Sequence, residues 1–105
     1  MPPIDFNGLD TAVHGPLRLG IMTSLQMDGP LDFTTLKKRL DATDGAIGQH
    51  LLTLENAGYI ACKKEFVGRR PRSTYTLTAM GRTAFARYLD GMQQLIDQVR
   101  RQASR

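Results

Sequence analysis

The spacing of apolar residues changes once along this chain, and that change limits the folds open to it. From Pro16 to Ala57 apolar side chains recur every three or four residues; from Tyr59 to Thr78 they roughly alternate. The first pattern is that of amphipathic helices and the second that of half-buried strands. Breakers divide the helical part. Gly15-Pro16 opens a helix over 16–27, proline being tolerated at a first helical position. Its stripe is Leu17, Ile21 and Leu25, widened by Met22, and Asp28-Gly29-Pro30 stops it. Leu31-Asp32 is a short strand candidate. Asp32 is placed to cap a second helix over 33–40, with Phe33, Leu36 and Leu40 inward. After Asp41-Ala42, Thr43 caps a third helix to about Ala57, with Asp44 in its first turn and Ile47, Leu51 and Leu54 inward. Gly58 stands where a left-handed residue ends a helix.

The alternating part consists of Tyr59–Phe66 and Thr74–Thr78. Ile60, Cys62 and Phe66 share one face, interrupted by Lys64, and Tyr75 and Leu77 share another. Val67 to Ser73, with its glycine and proline, reads as the long tip of a β-hairpin. Thr78 caps a last helix over 79–101. Residues 1–9 read as an irregular arm, with a short turn over Leu9–Val13. Two short helices joined by a tight turn and followed by a hairpin predict an α+β, mostly helical fold: a winged helix-turn-helix with a three-helix core, a β-hairpin wing and a C-terminal dimerisation helix. Residues 1–105 are expected to form one domain, with 9–78 the core and 79–101 the dimer helix.

Charge is concentrated in the hairpin. The 105 residues carry 14 Lys+Arg and 10 Asp+Glu, a net +4. Lys63–Arg72 alone holds five cations and one anion, so the rest of the chain is neutral. The size excludes a TIM barrel or a full dinucleotide-binding fold. One cysteine, Cys62, excludes an internal disulfide. No apolar run approaches the ~20 residues of a membrane span, and the acidic start has no basic signal-peptide region. A cytoplasmic protein with no membrane partner is expected.

With Ile47, Leu51 and Leu54 inward, the third helix presents Gly45, Gln49, Leu52, Thr53 and Asn56 outward, with Ala46, Gly48 and His50 on its flanks. Gln49 suits a bidentate pair with adenine, and Thr53 a base or a phosphate. Gly45, on the outward face, favours close approach of a ligand such as DNA. Gly48 divides evenly between that role and packing on the second helix. His50 reads as a hydrogen-bonded or phosphate-touching flank residue; Leu52 fits packing on the hairpin. Arg69, Arg70 and Arg72 around Pro71 supply planar donor forks suited to a phosphate backbone or a minor groove. Lys63 and Lys64 point to opposite strand faces, so at most one joins them. The expected DNA contacts are therefore Thr34, Thr35, Lys37 and Lys38 of the second helix, Thr43, Gly45, Ala46, Gln49, His50 and Thr53 of the third, and the three wing arginines.

In the last helix Phe85, Leu89, Met92, Ile96 and Val99 follow the spacing of a coiled-coil seam. With Tyr88, Leu95 and Leu9 they are the expected homodimer contacts, helped by Ile4 and Phe6 of the arm. There is no phosphate loop, nucleophile elbow, zinc-protease helix or Cys–His pair, so neither an enzyme nor a cofactor is expected. His14 and His50 lie too far apart in sequence for a metal motif, and no metal is expected.

The passages FTTLKKRLDATDGAIGQHLLTLENAGYI and KKEFVGRRPRSTYTLTAMGRTAF, preceded by LDTAVHGPLRLGIMTSL, resemble small winged-helix transcriptional regulators related to the MarR and ArsR families. The resemblance covers about residues 9–100. It implies a dimeric regulator of transcription that contacts double-stranded DNA through the first half of helix 43–57 and the wing at 68–73. The metal-ligand cysteines of ArsR sensors have no counterpart here, so metal sensing does not carry over. Two other readings share these residues: a winged-helix adaptor docking an acidic protein through its wing, and a ligand-gated sensor with a pocket at the dimer interface. The sequence names no effector and no operator.

Overall fold

A computed structural model of the chain describes residues 9–103. The elements are α1 (Pro16–Asp28), β1 (Leu31–Asp32), α2 (Phe33–Arg39), α3 (Asp44–Asn56), β2 (Ile60–Val67), β3 (Arg70–Leu77) and α4 (Ala79–Ala103). The three strands form an antiparallel sheet in the order β1-β3-β2. The expected arm residues Ile4 and Phe6 lie outside the described residues.

Local chemistry fixes each boundary. The Asp32 carboxylate accepts the Thr35 N–H at 2.8 Å and starts α2. The Thr43 hydroxyl accepts the Ala46 N–H at 3.2 Å and starts α3. Between these helices Asp41 takes a left-handed φ of 49°, which aspartate tolerates better than most side chains. At the end of α3 the Gly58 N–H reaches the Glu55 carbonyl and the Tyr59 N–H reaches that of Leu54, each at 3.0 Å. That pair of bonds, with Gly58 at φ 81°, is the glycine-terminated C-cap of the Schellman motif.

The core joins Ile21, Met22 and Leu25 of α1, Leu36 of α2, Ile47, Leu51 and Leu54 of α3, Ile60, Tyr75 and Leu77 of the sheet, and Phe85 and Tyr88 of α4. Leu17 stays outside this cluster, contrary to the predicted α1 stripe. Val13 of the preceding turn is fully buried and fills the core there, while Leu19 packs against it. Each fully buried leucine or isoleucine contributes about 1.5–3 kcal/mol, so the α3 stripe is a large share of what holds the fold.

The α3–α4 joint has little spare room. The Thr78 hydroxyl donates to the Gly58 carbonyl at 2.6 Å and accepts the Gly81 N–H at 2.9 Å, so one side chain caps α4 and ties it to the end of α3. Gly81 then lies against the Tyr59 backbone; a Cβ there would sit 2.0 Å from the Tyr59 carbonyl oxygen.

The periphery departs from expectation in two places. The hairpin has no long tip. β2 runs to Val67 and β3 starts at Arg70, leaving a two-residue turn, Gly68-Arg69. Gly68 has φ 66° and Arg69 does not share its sign, as in the turns with glycine at the first central position that favour tight hairpins. Pro71 fits within β3 because β1 pairs only with Thr74 and Tyr75, so the strand edge beside Pro71 is open and needs no N–H. Phe66, expected on the buried face, is exposed because the wing projects past the body.

The dimer seam is also misplaced in part. Tyr88 is only 2% exposed and its hydroxyl pairs with His14 Nδ1 at 2.8 Å, so it belongs to this chain's own core. Leu9 and Met92 pack against the same core. Leu95 is half-buried, while Leu89, Ile96 and Val99 are exposed. A core-facing stripe and an exposed apolar stripe therefore run side by side along α4. No helix among the described residues is long and apolar enough to cross a membrane.

Candidate nucleic-acid interface

The candidate interface combines the outward face of α3, the start of α2 and the wing. On α3, Gly45, Gln49, Leu52 and Asn56 are exposed and Thr53 is half-buried. The Thr53 hydroxyl donates back to the Gln49 carbonyl at 3.1 Å, leaving its lone pairs for a ligand. Leu52 does not pack on the hairpin; it is 57% exposed. A Cβ added at Gly45 or at Gly48 would meet nothing within 4 Å. Packing of Gly48 on α2 is therefore not the reason for its glycine, and both positions leave the helix surface open to a close neighbour. It follows that Gly48→Ala should stabilise the free protein by about 1 kcal/mol, the helix-propensity gain, in urea unfolding.

Thr34, Thr35 and Lys38 lie exposed at the start and outer side of α2. Lys37 is spoken for: its ammonium pairs with the Asp44 carboxylate at 2.6 Å and bridges α2 to the start of α3. Thr43 is occupied as the α3 cap, and Ala46 is the residue whose N–H it holds.

His50 faces α1. An Arg18 N–H lies 3.1 Å from His50 Nδ1, and because arginine is always a donor that nitrogen acts as the acceptor. Neutral His50 therefore carries its proton on Nε2. The same guanidinium donates to the His14 carbonyl at 2.8 Å and the Thr11 carbonyl at 3.3 Å. His50 is thus a hydrogen-bonded flank residue, buttressed from α1 through Nδ1. Arg18 carries no sequence signal for this role: inside a helix with no other charge before Asp28, it reads as a solvated cation.

The wing arginines divide. Arg72, expected at the DNA contact, turns back to Asp32, its Nε 3.2 Å from Oδ2. The bonds from Thr35, and then Arg72, hold the Asp32 carboxyl below its usual range. Its stabilising effect is therefore full above the ordinary carboxylate pKa and is lost as pH falls through the lowered folded value. Between the start of α2 and the wing this leaves a cleft of about 220 Å³ lined by Asp32, Phe33, Thr34, Pro71, Arg72 and Ser73. Arg69 in the turn and Arg70 at the start of β3 are exposed, and neither has an ion-pair partner among the described residues. Lys63 leans toward Glu65 at 3.9 Å; Lys64, on the other strand face, has no such neighbour among the described residues.

The model of the winged helix DNA-binding domain matches residues 17–96. The chain belongs to that family. The matched span holds every helix-turn-helix and wing element, and most of α4. Within the winged helix group, the chain is similar to the transcriptional regulator homologue of Pyrococcus horikoshii: 31% identity over 84% of this chain and 87% of that one, with a TM-score of 0.77. An uncharacterised protein of Methanocaldococcus jannaschii is 36% identical over 64 residues, 61% of this chain and 70% of that protein. A MarR-family regulator structure from Enterococcus faecalis shares the fold at 22% identity, covering 90% of this chain and 84% of its own, with a TM-score of 0.71. The family match makes this chain a winged helix DNA-binding protein, and its fold is shared with the MarR-family structure. No group of three or more His, Cys, Asp or Glu that could hold a metal occurs among the described residues.

Proposed function

We propose that the chain is a homodimeric, sequence-specific transcriptional regulator, with residues 9–78 binding duplex DNA and 79–101 carrying the dimer contact. The observation behind this is the pairing of two surfaces: an α3 face left open at Gly45 and Gly48, and a wing whose Arg69 and Arg70 have no ion-pair partner among the described residues. A helix with glycines at two outward or flanking positions of its first half approaches a major-groove floor closely there, and Gln49 beside them offers both donor and acceptor to adenine. Arg69, Arg70 and Lys38 then neutralise phosphates on the flanks. The mechanism is positional: the protein binds, and transcription changes because the site is occupied.

The exposed stripe Leu89, Ile96 and Val99 supports the dimer. Its spacing suits a second copy of the same helix, and two-fold pairing sets two α3 helices to read half-sites about one helical turn, ~34 Å, apart. A mobility-shift series on random duplex and on a selected site tests the reading. Affinity should fall steeply with salt on both. Gln49→Ala should bind random duplex like the wild type but lose discrimination at one base position, by about 1–3 kcal/mol. Absence of duplex binding even at low salt would reject the proposal and favour the adaptor reading.

A further inference from the structure

The wing ends in apolar side chains that the domain does not cover. Phe66 is 75% exposed and Val67 54%. Phe66 pairs across the hairpin with Pro71, and Val67 with Arg70, so apolar groups occupy both faces of the last two rungs before the Gly68-Arg69 turn. Strand propensity does not demand them: Thr74 and Thr76 meet the same need on the same hairpin with polar atoms. The surroundings are cationic, with Lys64, Arg69 and Arg70 exposed and without ion-pair partners among the described residues. An apolar tip ringed by cations fits a surface that is anionic at its rim and apolar within. The DNA minor groove is such a surface, with phosphates along its edges and sugar walls and base steps inside.

Size sharpens the fit. Hairpin strands lie about 4.8 Å apart, and with side chains the tip is wider than a minor groove of about 6 Å. The tip enters only where the groove opens, and pyrimidine–purine steps open at least cost.

We propose that Phe66 and Val67 form an apolar wedge that the wing inserts into the minor groove beside the site read by α3. The wedge bends the duplex and adds a preference for a flexible step that no side chain hydrogen-bonds. It rests on the DNA-binding reading above.

The full chain tests it with Phe66→Ala and Phe66→Leu, both at an exposed position and both checked for unchanged thermal unfolding. Energy transfer across an end-labelled duplex carrying the selected site reports the bend, and a salt series reports the charge contribution. Wild-type protein should shorten the end-to-end distance. Phe66→Ala should lose most of the bend and about tenfold in affinity, with the salt slope unchanged because no charge is removed. Phe66→Leu, which keeps an apolar wedge, should retain most of both. If wild type binds the duplex and Phe66→Ala bends and binds it equally well, the wedge is wrong and the DNA reading stands. If wild type binds no duplex, both fall. Wild-type binding to phosphatidylglycerol vesicles that Phe66→Ala loses, with duplex bending unaffected, overturns the wedge in favour of a lipid surface.

Discussion

Gly81→Ala is expected to cost about 3 kcal/mol or more in urea unfolding, and to leave much of the chain unfolded at moderate temperature. The added Cβ would lie 2.0 Å from the Tyr59 carbonyl oxygen and 2.8 Å from its carbon. Both are backbone atoms, so no rotamer change relieves the clash. Backing away would stretch the bonds from Thr78 to Gly58 and from Gly81 to Thr78, which start α4 and join it to α3. Phe85 and Tyr88 follow one and two turns later in the core, so a shifted α4 start also unseats them. A midpoint unchanged from wild type would show that the α3–α4 joint has slack the geometry denies. Gly48→Ala is the matched control, the same chemical change where a Cβ meets open space.

The Arg69→Ala, Arg70→Ala double variant should lower the slope of log affinity against log salt by about two, one for each phosphate that no longer meets an arginine. At low salt the affinity for random duplex should fall about a hundredfold or more, since the two lost hydrogen bonds to charged groups contribute about 1.5–3 kcal/mol each. Arg72→Ala provides the contrast. Its guanidinium already answers Asp32, so its removal takes little charge from the DNA-facing surface and should move the slope much less. Equal slopes for Arg72→Ala and the double variant would mean that the Arg72–Asp32 pair opens on binding and that Arg72 meets phosphate as its two neighbours do.

Where a residue's environment is set by its sequence neighbours, the sequence alone reveals it. The caps Asp32, Thr43 and Thr78, the stop at Gly58 and the α3 stripe Ile47, Leu51 and Leu54 are all of this kind. What stays hidden depends on distant partners. The Arg18–His50 and Arg72–Asp32 contacts span 32 and 40 residues, and no local pattern marks either. Glycines show the same limit. Gly45 and Gly48 invite a functional reason, and the structure leaves them open; Gly81, unremarkable in sequence, is pressed on backbone. The wing tip reads as a loop because Gly68 and Pro71 are strong turn signals, yet an open strand edge accommodates proline. On α4 an exposed apolar stripe and a stripe facing the core share the same three- and four-residue steps. Tyr88 is told from Leu89 only once the domain beneath the helix is placed.

Mechanically the wing is a cantilever. β1 supports β3 only at Thr74 and Tyr75. From there to Arg70 the ribbon runs free for about 14 Å at strand rise. Its strut to the body is the Arg72–Asp32 pair, set just beyond the Thr74 rung and on the strand face that carries Arg70. Thermal bending of such a beam grows toward its free end, so the residues with the greatest sweep are Arg69, Arg70 and the apolar pair beside them. The strut shortens the free length, and with it the orientational freedom those side chains surrender when they settle on a partner.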